Sequence, residues 1–442
     1  MPAQYIQNRK ESSGSCRRGL LAQADLWGVE PSVLPLPSVG RWPVGLSVEY
    51  AERGAVWTRR VRWFLPLMAA AGVTMSFTAP LEVLFGRELS RSSVYIGIFM
   101  LTSAVGVILI DVFGTRLVPG LDARVALTIG LSLFGLSSIG MGLAHDNVLL
   151  MASRVVQGFG GGMMLGAGLQ AAVRVRPAAG DTARALGRFN AAFLFGGAVG
   201  SPGGLLLAGM ISGEAGYRIA LVVTGVCALV VAAALAAALP NLAPPPGLPR
   251  PRLGLPRFGK STGGGAALVL AMCGEFLRGG VLFTALPLAG AARQYPTVTI
   301  ALAIALMSAF EIAVLTVAYR LIRRVGVVAV LLTAFALGTV CATVLALTSD
   351  LTVYLAMSVL FGVSLAGATA SLPVLVVAQV GDSSAGLAKF RISAGIGVLA
   401  GTVGCAVLGT QIGMTALFGL IAIVLLGSVQ LTHFVGRRTA IT

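Results

Sequence analysis

Long apolar runs alternate with short polar connections from Trp63 to Phe434, and twelve such runs can be counted. Their approximate limits are 63–85, 94–112, 123–144, 148–173, 187–210 and 217–239, followed after a break by 265–289, 297–319, 326–348, 351–378, 389–410 and 413–434. Each is near or above the ~20 residues that carry an α-helix across a ~30 Å hydrocarbon layer. Apolar residues run continuously rather than alternating, which predicts helices and excludes the strands of a membrane β-barrel. The expected class is an all-α membrane protein with twelve transmembrane helices.

Charge fixes the expected orientation. The chain carries 32 Lys+Arg against 16 Asp+Glu, a net charge of +16, which in a soluble protein would suggest nucleic acid. Here Arg87, Arg91, Arg218 and Arg293 fall on one side of the expected membrane and Arg154 and Arg278 lie inside runs, leaving 26 of the 32 on the other side. Basic residues in short loops stay cytoplasmic, and anionic head groups welcome them there. Both termini are therefore expected inside, with lipid as a partner and no nucleic acid. A composition of 56% hydrophobic and 11% charged residues, with mean hydropathy +0.90, excludes an ordinary soluble domain. The five cysteines are scattered without ligand spacing, so neither a disulfide framework nor a metal site is predicted. Basic residues are almost all Arg, as in a high-GC bacterial genome, so a bacterial cytoplasmic membrane is the expected location.

Residues 1–62 mix charges, Pro and Ser and hold no apolar run long enough for a signal peptide, so a disordered cytoplasmic tail is expected. Residues 240–264 are Pro-rich and basic and divide six runs from six. Proline removes helical donors and keeps the backbone extended, which makes this segment a cytoplasmic linker. The expected domains are a six-helix bundle at 63–239, a second at 265–434 and a short tail at 435–442. Within the linker, Gly254 to Ser261 fits the pattern GxxxxGK[ST] literally. That phosphate loop needs a preceding strand and a following soluble helix. Prolines surround it here and a membrane run follows, so it reads as a basic surface loop.

The halves repeat. Gly180-Asp181-Thr182 with Leu186, Arg188 and Phe189 recurs 201 positions later as Gly381-Asp382-Ser383 with Leu387, Lys389 and Phe390. Gly196 and Gly200 map onto Gly397 and Gly401 at the same offset, and Phe77-Thr78-Ala79 recurs as Phe283-Thr284-Ala285 at offset 206. Parallel symmetry of this kind predicts two pseudo-symmetric bundles facing a central site.

Three segments carry motifs. The connection after run two contains Leu109, Asp111, Gly114 and Arg116, an acid, a turn glycine and a base able to form a charge-locked hinge. Run four contains Arg154, Gln157, Gly158 and Gly162, with glycine recurring at Gly166. An intramembrane charge costs about 2.5–3.5 kcal/mol or more unless a cavity or partner compensates it, whereas glycines every fourth residue leave a bare helix face for close packing. Run five contains Gly196, Gly200, Pro202 and Gly204, a pattern that allows bending and close contact.

These segments together resemble the major facilitator superfamily. Residues 109–116 are similar to its GxLaDRxGRK loop, with Leu109, Asp111 and Gly114 matching, Arg116 standing for the final Lys, and Val107, Val112 and Thr115 departing from it. The equivalent second-half loop keeps Arg323, Arg324 and Gly326 but lacks the acid. Run four resembles the RxxQGxGxx signature of proton-coupled exporters, and run five a slipped GxxxGPxxGG antiporter signature with Ser201 where Pro is expected. The resemblance, over about residues 60–436, implies two rocking six-helix bundles, a gating role for Asp111, Gly114 and Arg116, and the type of twelve-span drug:proton antiporters. It further implies that runs 1, 4, 7 and 10 line a central cavity, flanked by 2, 5, 8 and 11.

Glu82, Glu275 and Glu311, with Arg154 and Arg278, all fall on those eight runs. Glu275 and Arg278, three apart, share a helix face and can pair, either as a working site or as a static brace. A carboxyl poised between burial and a nearby Arg can bind and release protons. Glu275, Glu311 and Glu82 are thus the proton-coupling candidates, and Arg154, Gln157 and Arg278 the cavity or charge-pair candidates. Glu82 has a second reading as a wetted residue near the outer edge. His145 and His433 lie at or beyond run ends, so neither is expected to relay protons. Met75, Met100, Met163, Met164, Met272 and Met307 are available to an apolar cavity. The expected function is proton-coupled export of a small apolar or amphipathic compound, without catalytic residues, metal or cofactor, by a monomer. A metabolite or nutrient facilitator is the alternative, followed by a transport-inactive sensor or scaffold.

Overall fold

The computed structural model describes residues 61–90, 92–117, 121–175, 182–211, 213–242, 262–380 and 384–439. The tail before residue 61 and the phosphate-loop-like segment Gly254 to Ser261 lie outside the described residues, as do Arg91 and the repeated triplet Gly381 to Ser383.

Twelve helical elements appear among the described residues. The first six are α1 (Phe64–Leu89), α2 (Ser93–Leu117), α3 (Ala123–Leu143), α4 (Asn147–Val175), α5 (Thr182–Gly209) and α6 (Glu214–Ala238). Helix α7 runs through three joined segments, Thr262–Phe276, the π-helical Leu277–Ala285 and Leu286–Ala292. The rest are α8 (Thr297–Val325), α9 (Val327–Leu347), α10 (Leu351–Val380), α11 (Ser384–Gln411) and α12 (Gly413–Thr439). Eleven of them are long and apolar enough to cross a membrane, and α2 contributes the shorter apolar stretch Ser93–Val107. Several helices outrun their apolar runs at one end. Helix α8 continues to Val325 through exposed Arg323 and Arg324, whose charges suit a helix C-terminus. It stops at Gly326, whose φ of 89° favours glycine.

Helix starts follow local chemistry. The Asp146 carboxylate accepts from Leu149 N–H at the start of α4, and Asp350 accepts from Val353 N–H at the start of α10. These caps occupy equivalent positions, 204 apart, in the two halves. The π-helical part of α7 contains Gly279-Gly280, and a methyl group at Gly279 would stand 2.6 Å from the Val398 carbonyl oxygen of α11. Close packing there fixes the backbone path, and the Thr284 hydroxyl donates to Gly279 O five residues earlier.

Glycines set the packing within each bundle. Methyl groups at Gly196, Gly200 and Gly204 would stand 2.0, 2.2 and 2.0 Å from the carbonyl oxygens of Ala69, Val73 and Phe77, so α5 lies directly on α1. In the second half Gly397 meets the Met272 carbonyl at 2.1 Å and Gly401 the Phe276 carbonyl at 2.7 Å, laying α11 on α7. The equivalence Gly196/Gly397 and Gly200/Gly401 is therefore structural. It pairs Ala69 with Met272 and Val73 with Phe276, an offset of 203 along α1 and α7. The Phe-Thr-Ala match at offset 206 lies beyond these contacts, with Phe283 to Ala285 inside the π-helical segment, where extra residues per turn shift the register. A further pair, absent from the motif reading, is Gly158 against Ser103 O at 1.9 Å and Gly362 against Met307 O at 2.1 Å, which seats α4 on α2 and α10 on α8.

One apolar cluster joins the two halves, linking Leu81, Phe85 and Phe99 of the first to Leu282, Leu288 and Ile300 of the second. The other, built around Phe64, Met68, Leu127 and Ala172 near the opposite end, contains first-half residues alone. Contacts across the halves agree. Gln411 donates to the Ser93 hydroxyl at 3.3 Å, Arg87 reaches Leu288 O at 3.5 Å, and Gly97 and Gly209 abut Val407 and Thr297. The bundles are thus closed together where α1 ends and α2 begins.

Candidate functional site: buried charges between the helices

The first-half charges form a sealed pair. Arg154 lies seven residues into α4, about 10 Å from its start at helical rise, and its Nη1 is 2.6 Å from Glu82 Oε1 on α1. The two side chains are 3% and 8% exposed. The same Nη1 donates to Gln157 Oε1 at 2.5 Å, Nε donates to Phe99 O at 3.3 Å, and the guanidinium lies 4.9 Å from the Phe99 ring centre. Gln157 passes the network on to the Ser138 hydroxyl at 3.2 Å. Glu82 is accordingly buried and paired, which overturns its reading as a residue wetted at the outer edge. Phe99 and Ser138 belong to the site as well. Nothing in the motif of run four points to them, because they come from other helices.

The second-half charges form an open triad near mid-span. Arg278 Nη2 donates to Glu311 Oε1 of α8 at 2.5 Å and to the Thr369 hydroxyl of α10 at 2.9 Å. Its Nε lies 3.8 Å from Glu275 Oε2. The expected pairing of Glu275 with Arg278 exists, but Glu311 is the closer partner. Exposure separates the two acids: the Glu311 side chain is 6% exposed and that of Glu275 25%. Helix α7 packs on α10, α11 and α12, and Arg278 reaches α8. Around α7, Cys273 meets Ser428 of α12, Gly274 meets Leu372 of α10, and the Met272 and Phe276 carbonyls meet Gly397 and Gly401 of α11, so Glu275 projects from the remaining face, away from α12. Thr369 was legible only as a hydroxyl in an apolar run.

Of the remaining expected residues, Gly158, Gly162, Gly196, Gly200, Pro202 and Gly204 all serve packing between helices, and Pro202 lies buried inside α5. Asp111, Gly114 and Arg116 continue helix α2 instead of opening a loop, since backbone hydrogen bonding runs on to Leu117. Their side chains lie outside the described residues. His145 and His433 are exposed and away from both charge clusters. The methionines divide: Met100, Met163, Met164 and Met307 are buried in helix packing, and Met75 and Met272 alone of the six are partly open.

Three of the four arginines that break the charge bias have structural employment. Arg218 donates to the carbonyls of Gly142 and Ala144 at the end of α3, pairs with Glu214 at 2.6 Å and faces the Phe85 ring. Arg293 donates to Leu345 O at 2.9 Å and Thr348 O at 2.7 Å at the end of α9 and faces Tyr354. Each guanidinium satisfies carbonyls that a helix terminus leaves open. Arg87 makes the cross-bundle contact described above. At the opposite end, just past the apolar stretch Asn147–Ala172, Arg174 donates to Leu121 O and Leu242 O while Asp122 accepts from Leu242 N–H. Burial pushes the Arg174 guanidinium down from its ordinary value, and Asp122 opposes that shift. The root of the linker is thereby pinned to the first bundle.

Two pseudo-symmetric helical bundles with compensated charges deep between them define a membrane carrier of the facilitator type. The profile of the Major Facilitator Superfamily matches residues 62–388, more than half of the chain, and the protein belongs to that family. Among solved structures it is similar in fold to the nucleoside transporter NupG, with a TM-score of 0.65 at 12% identity, covering 85% of this chain and 99% of that one. A bacterial homolog of the human lysosomal transporter Spinster, solved inward-facing and unoccupied, gives 0.63 at 13% identity, covering 86% and 97%. The human organic anion transporter MFSD10 (TETRAN) gives 0.62 at 14% identity, covering 85% and 99%. No curated protein matches the chain.

Proposed function

We propose that the protein exports a small amphipathic compound in exchange for protons, by alternating access, across a bacterial cytoplasmic membrane with both termini inside. The observation that carries this reading is Glu275, a part-exposed carboxylate at mid-span whose neighbouring guanidinium is already engaged by Glu311. The positive-inside bias favours a cytoplasmic linker end, and bundles joined at the opposite end support an inward-open reading of this state.

In this state Glu275 exchanges with cytoplasmic water and with substrate. Closing the cavity around an unneutralised carboxylate costs several kcal/mol, because water that solvated the charge is lost. The empty, ionised carrier therefore reorients slowly. Substrate binding allows passage outward, and a proton taken from the outside allows the return. Arg154 and Glu82, locked near the closed end, keep the first bundle rigid through both movements. Gln157 has its amide engaged on both sides, by Arg154 and Ser138, which leaves it unable to serve sugar hydroxyls and disfavours a sugar carrier.

The test has two stages. Overexpressing strains challenged with chemically diverse toxic compounds, with and without a protonophore, identify what is exported. Proteoliposomes then report export driven by a pH gradient, and Glu275→Gln is expected to abolish that dependence. Gradient-driven transport that survives this substitution unchanged removes Glu275 from the coupling role.

A further inference from the structure

We infer that the central site exchanges one monovalent organic cation for one proton without net charge movement, Glu275 serving as the counter-ion for each in turn. This deepens the proton-coupled reading above and rests on it for its second half. The charge inventory comes first. Away from their ends, the apolar stretches of the described helices hold three acids, Glu82, Glu275 and Glu311, and two bases, Arg154 and Arg278. Arg154 is matched by Glu82 at 2.6 Å and Arg278 by Glu311 at 2.5 Å. One carboxylate is left over, and it is the one whose side chain is 25% exposed.

Substrate charge follows from that surplus. An anion would find both guanidinium groups taken and a negative charge facing it. A neutral compound would leave the surplus uncompensated each time the cavity closed. A monovalent cation or a proton cancels it. The groups acting on Glu275 are Arg278 on its own helix and Glu311 from α8, with the Thr369 hydroxyl of α10 held by Arg278; α11 and α12 bring no charged side chain against it among the described residues. An inorganic cation needs several oxygen ligands, whereas one free carboxylate is offered here. Part-exposed Met272 and Phe276 on the same helix supply apolar and aromatic surface suited to an organic body.

Stoichiometry follows in turn. Outward passage moves the substrate's single positive charge, and the return moves one proton, released inside as the carboxylate reionises. The two charges cancel over the cycle. Export is then driven by the pH difference alone and is indifferent to membrane potential.

The experiment uses the purified full-length chain and size-matched probes, namely tetraphenylphosphonium and ethidium as cations, triphenylphosphine oxide as a neutral compound and tetraphenylborate as an anion. Equilibrium binding in detergent should favour the cations at least tenfold and should weaken as the pH falls and protons compete for the carboxylate. Glu275→Gln should abolish the preference. Glu275→Asp, which keeps the charge, should retain it and guards against a folding defect in the first variant. Binding led by the neutral or anionic probe, or no binding by either cation, overturns the proposal. In proteoliposomes the pH gradient should drive cation export, and a potassium-valinomycin potential should leave the rate unchanged; a potential-dependent rate overturns the one-for-one exchange. Cation-selective binding without gradient-driven transport would sink the coupling reading and leave the cation site standing. Gradient-driven export of neutral compounds alone would do the reverse.

Discussion

Replacing Glu82 by Gln should damage the protein far more than replacing Glu82 and Arg154 together. The single change keeps the shape of the side chain and removes its charge, leaving the Arg154 guanidinium, 3% exposed, without its counter-ion. Arg cannot escape by deprotonating. Gln157 and the Phe99 carbonyl remain as hydrogen-bond acceptors, but both are neutral and already engaged in the parent protein. Breaking one partner of a buried pair costs about 3–5 kcal/mol. At about 2–4 °C per kcal/mol for a bundle of this size, melting should fall by on the order of 10 °C. The double variant Glu82→Gln/Arg154→Gln strands no charge and should recover most of the loss, since neutral isosteres of a buried pair are often tolerated. Thermal unfolding of detergent-solubilised protein, followed for both variants and for Arg154→Gln alone, yields the coupling between the two positions. A single variant melting within about 2 °C of the parent, or a double variant no better than the single, would refute the sealed-pair reasoning.

Four further outcomes are expected. Gly200→Ala puts a methyl group 2.2 Å from the Val73 carbonyl oxygen and should cost about 1–3 kcal/mol of stability. Gly427→Ala, with nothing within 4 Å, should stay within about 0.5 kcal/mol of the parent or gain slightly from helix propensity, and melting curves compare the two directly. Arg293→Gln should lower melting by opening the carbonyls of Leu345 and Thr348, at a cost of about 1–3 kcal/mol; an unchanged curve would deny the capping role. A Ser93→Cys/Gln411→Cys pair, placed where these side chains now touch at 3.3 Å, should cross-link under mild oxidation in membranes and stop transport until reduced. Cysteines introduced at Asp350 and at Arg324 should react with an impermeant reagent from opposite faces, the first from outside.

The span plan was legible because composition alone decides it: a continuous apolar run must be helical in lipid. All twelve runs fall on helices, and the differences are extra turns at helix ends, where long basic side chains reach water while the backbone stays helical. Gly114 to Arg116 were misplaced for that reason, as a turn glycine near charges reads like a loop. The glycine repeat in runs five and eleven was legible too, since close helix approach leaves no room for side chains and so writes itself into the sequence. Contacts between helices distant in sequence were less so. Glu82 and Arg154 could be suspected of pairing because each is anomalous alone, whereas Thr369, Ser138 and the Phe99 carbonyl look ordinary until α10, α3 and α2 bring them to a guanidinium. The π segment of α7 left no mark, because π and α backbones draw on the same residues. The methionines misled for a related cause: a flexible apolar side chain fits packing and cavity equally well, and four of the six went to packing.

The two halves share a scaffold and differ in charge, and under the proposed cycle that difference divides the work between them. By the packing register, Arg154 corresponds to Ser358, whose hydroxyl bonds back to Tyr354 O within its own helix. Glu275 and Arg278 correspond to Gly72 and Met75, and Glu311 to Val107, none of them charged. Symmetry of backbone gives two equivalent bundles held by the same glycine contacts. Charge breaks that equivalence. The Glu82–Arg154 pair is matched one to one and sealed beside the cluster that joins the bundles. The Glu275–Arg278–Glu311 triad is unbalanced, sits near mid-span and leaves the Glu275 side chain part-exposed. A change of one charge there alters the free energy of the closed cavity, whereas the first-half pair carries no surplus. Under the proposed cycle the second bundle therefore senses load and the first serves as the fixed wall against which it moves. Moving the surplus to the first half, by Met75→Glu with Glu275→Gln, would test that division: transport restored by the transplanted carboxylate would show that the position of the charge, and not the identity of the bundle, is what the cycle requires.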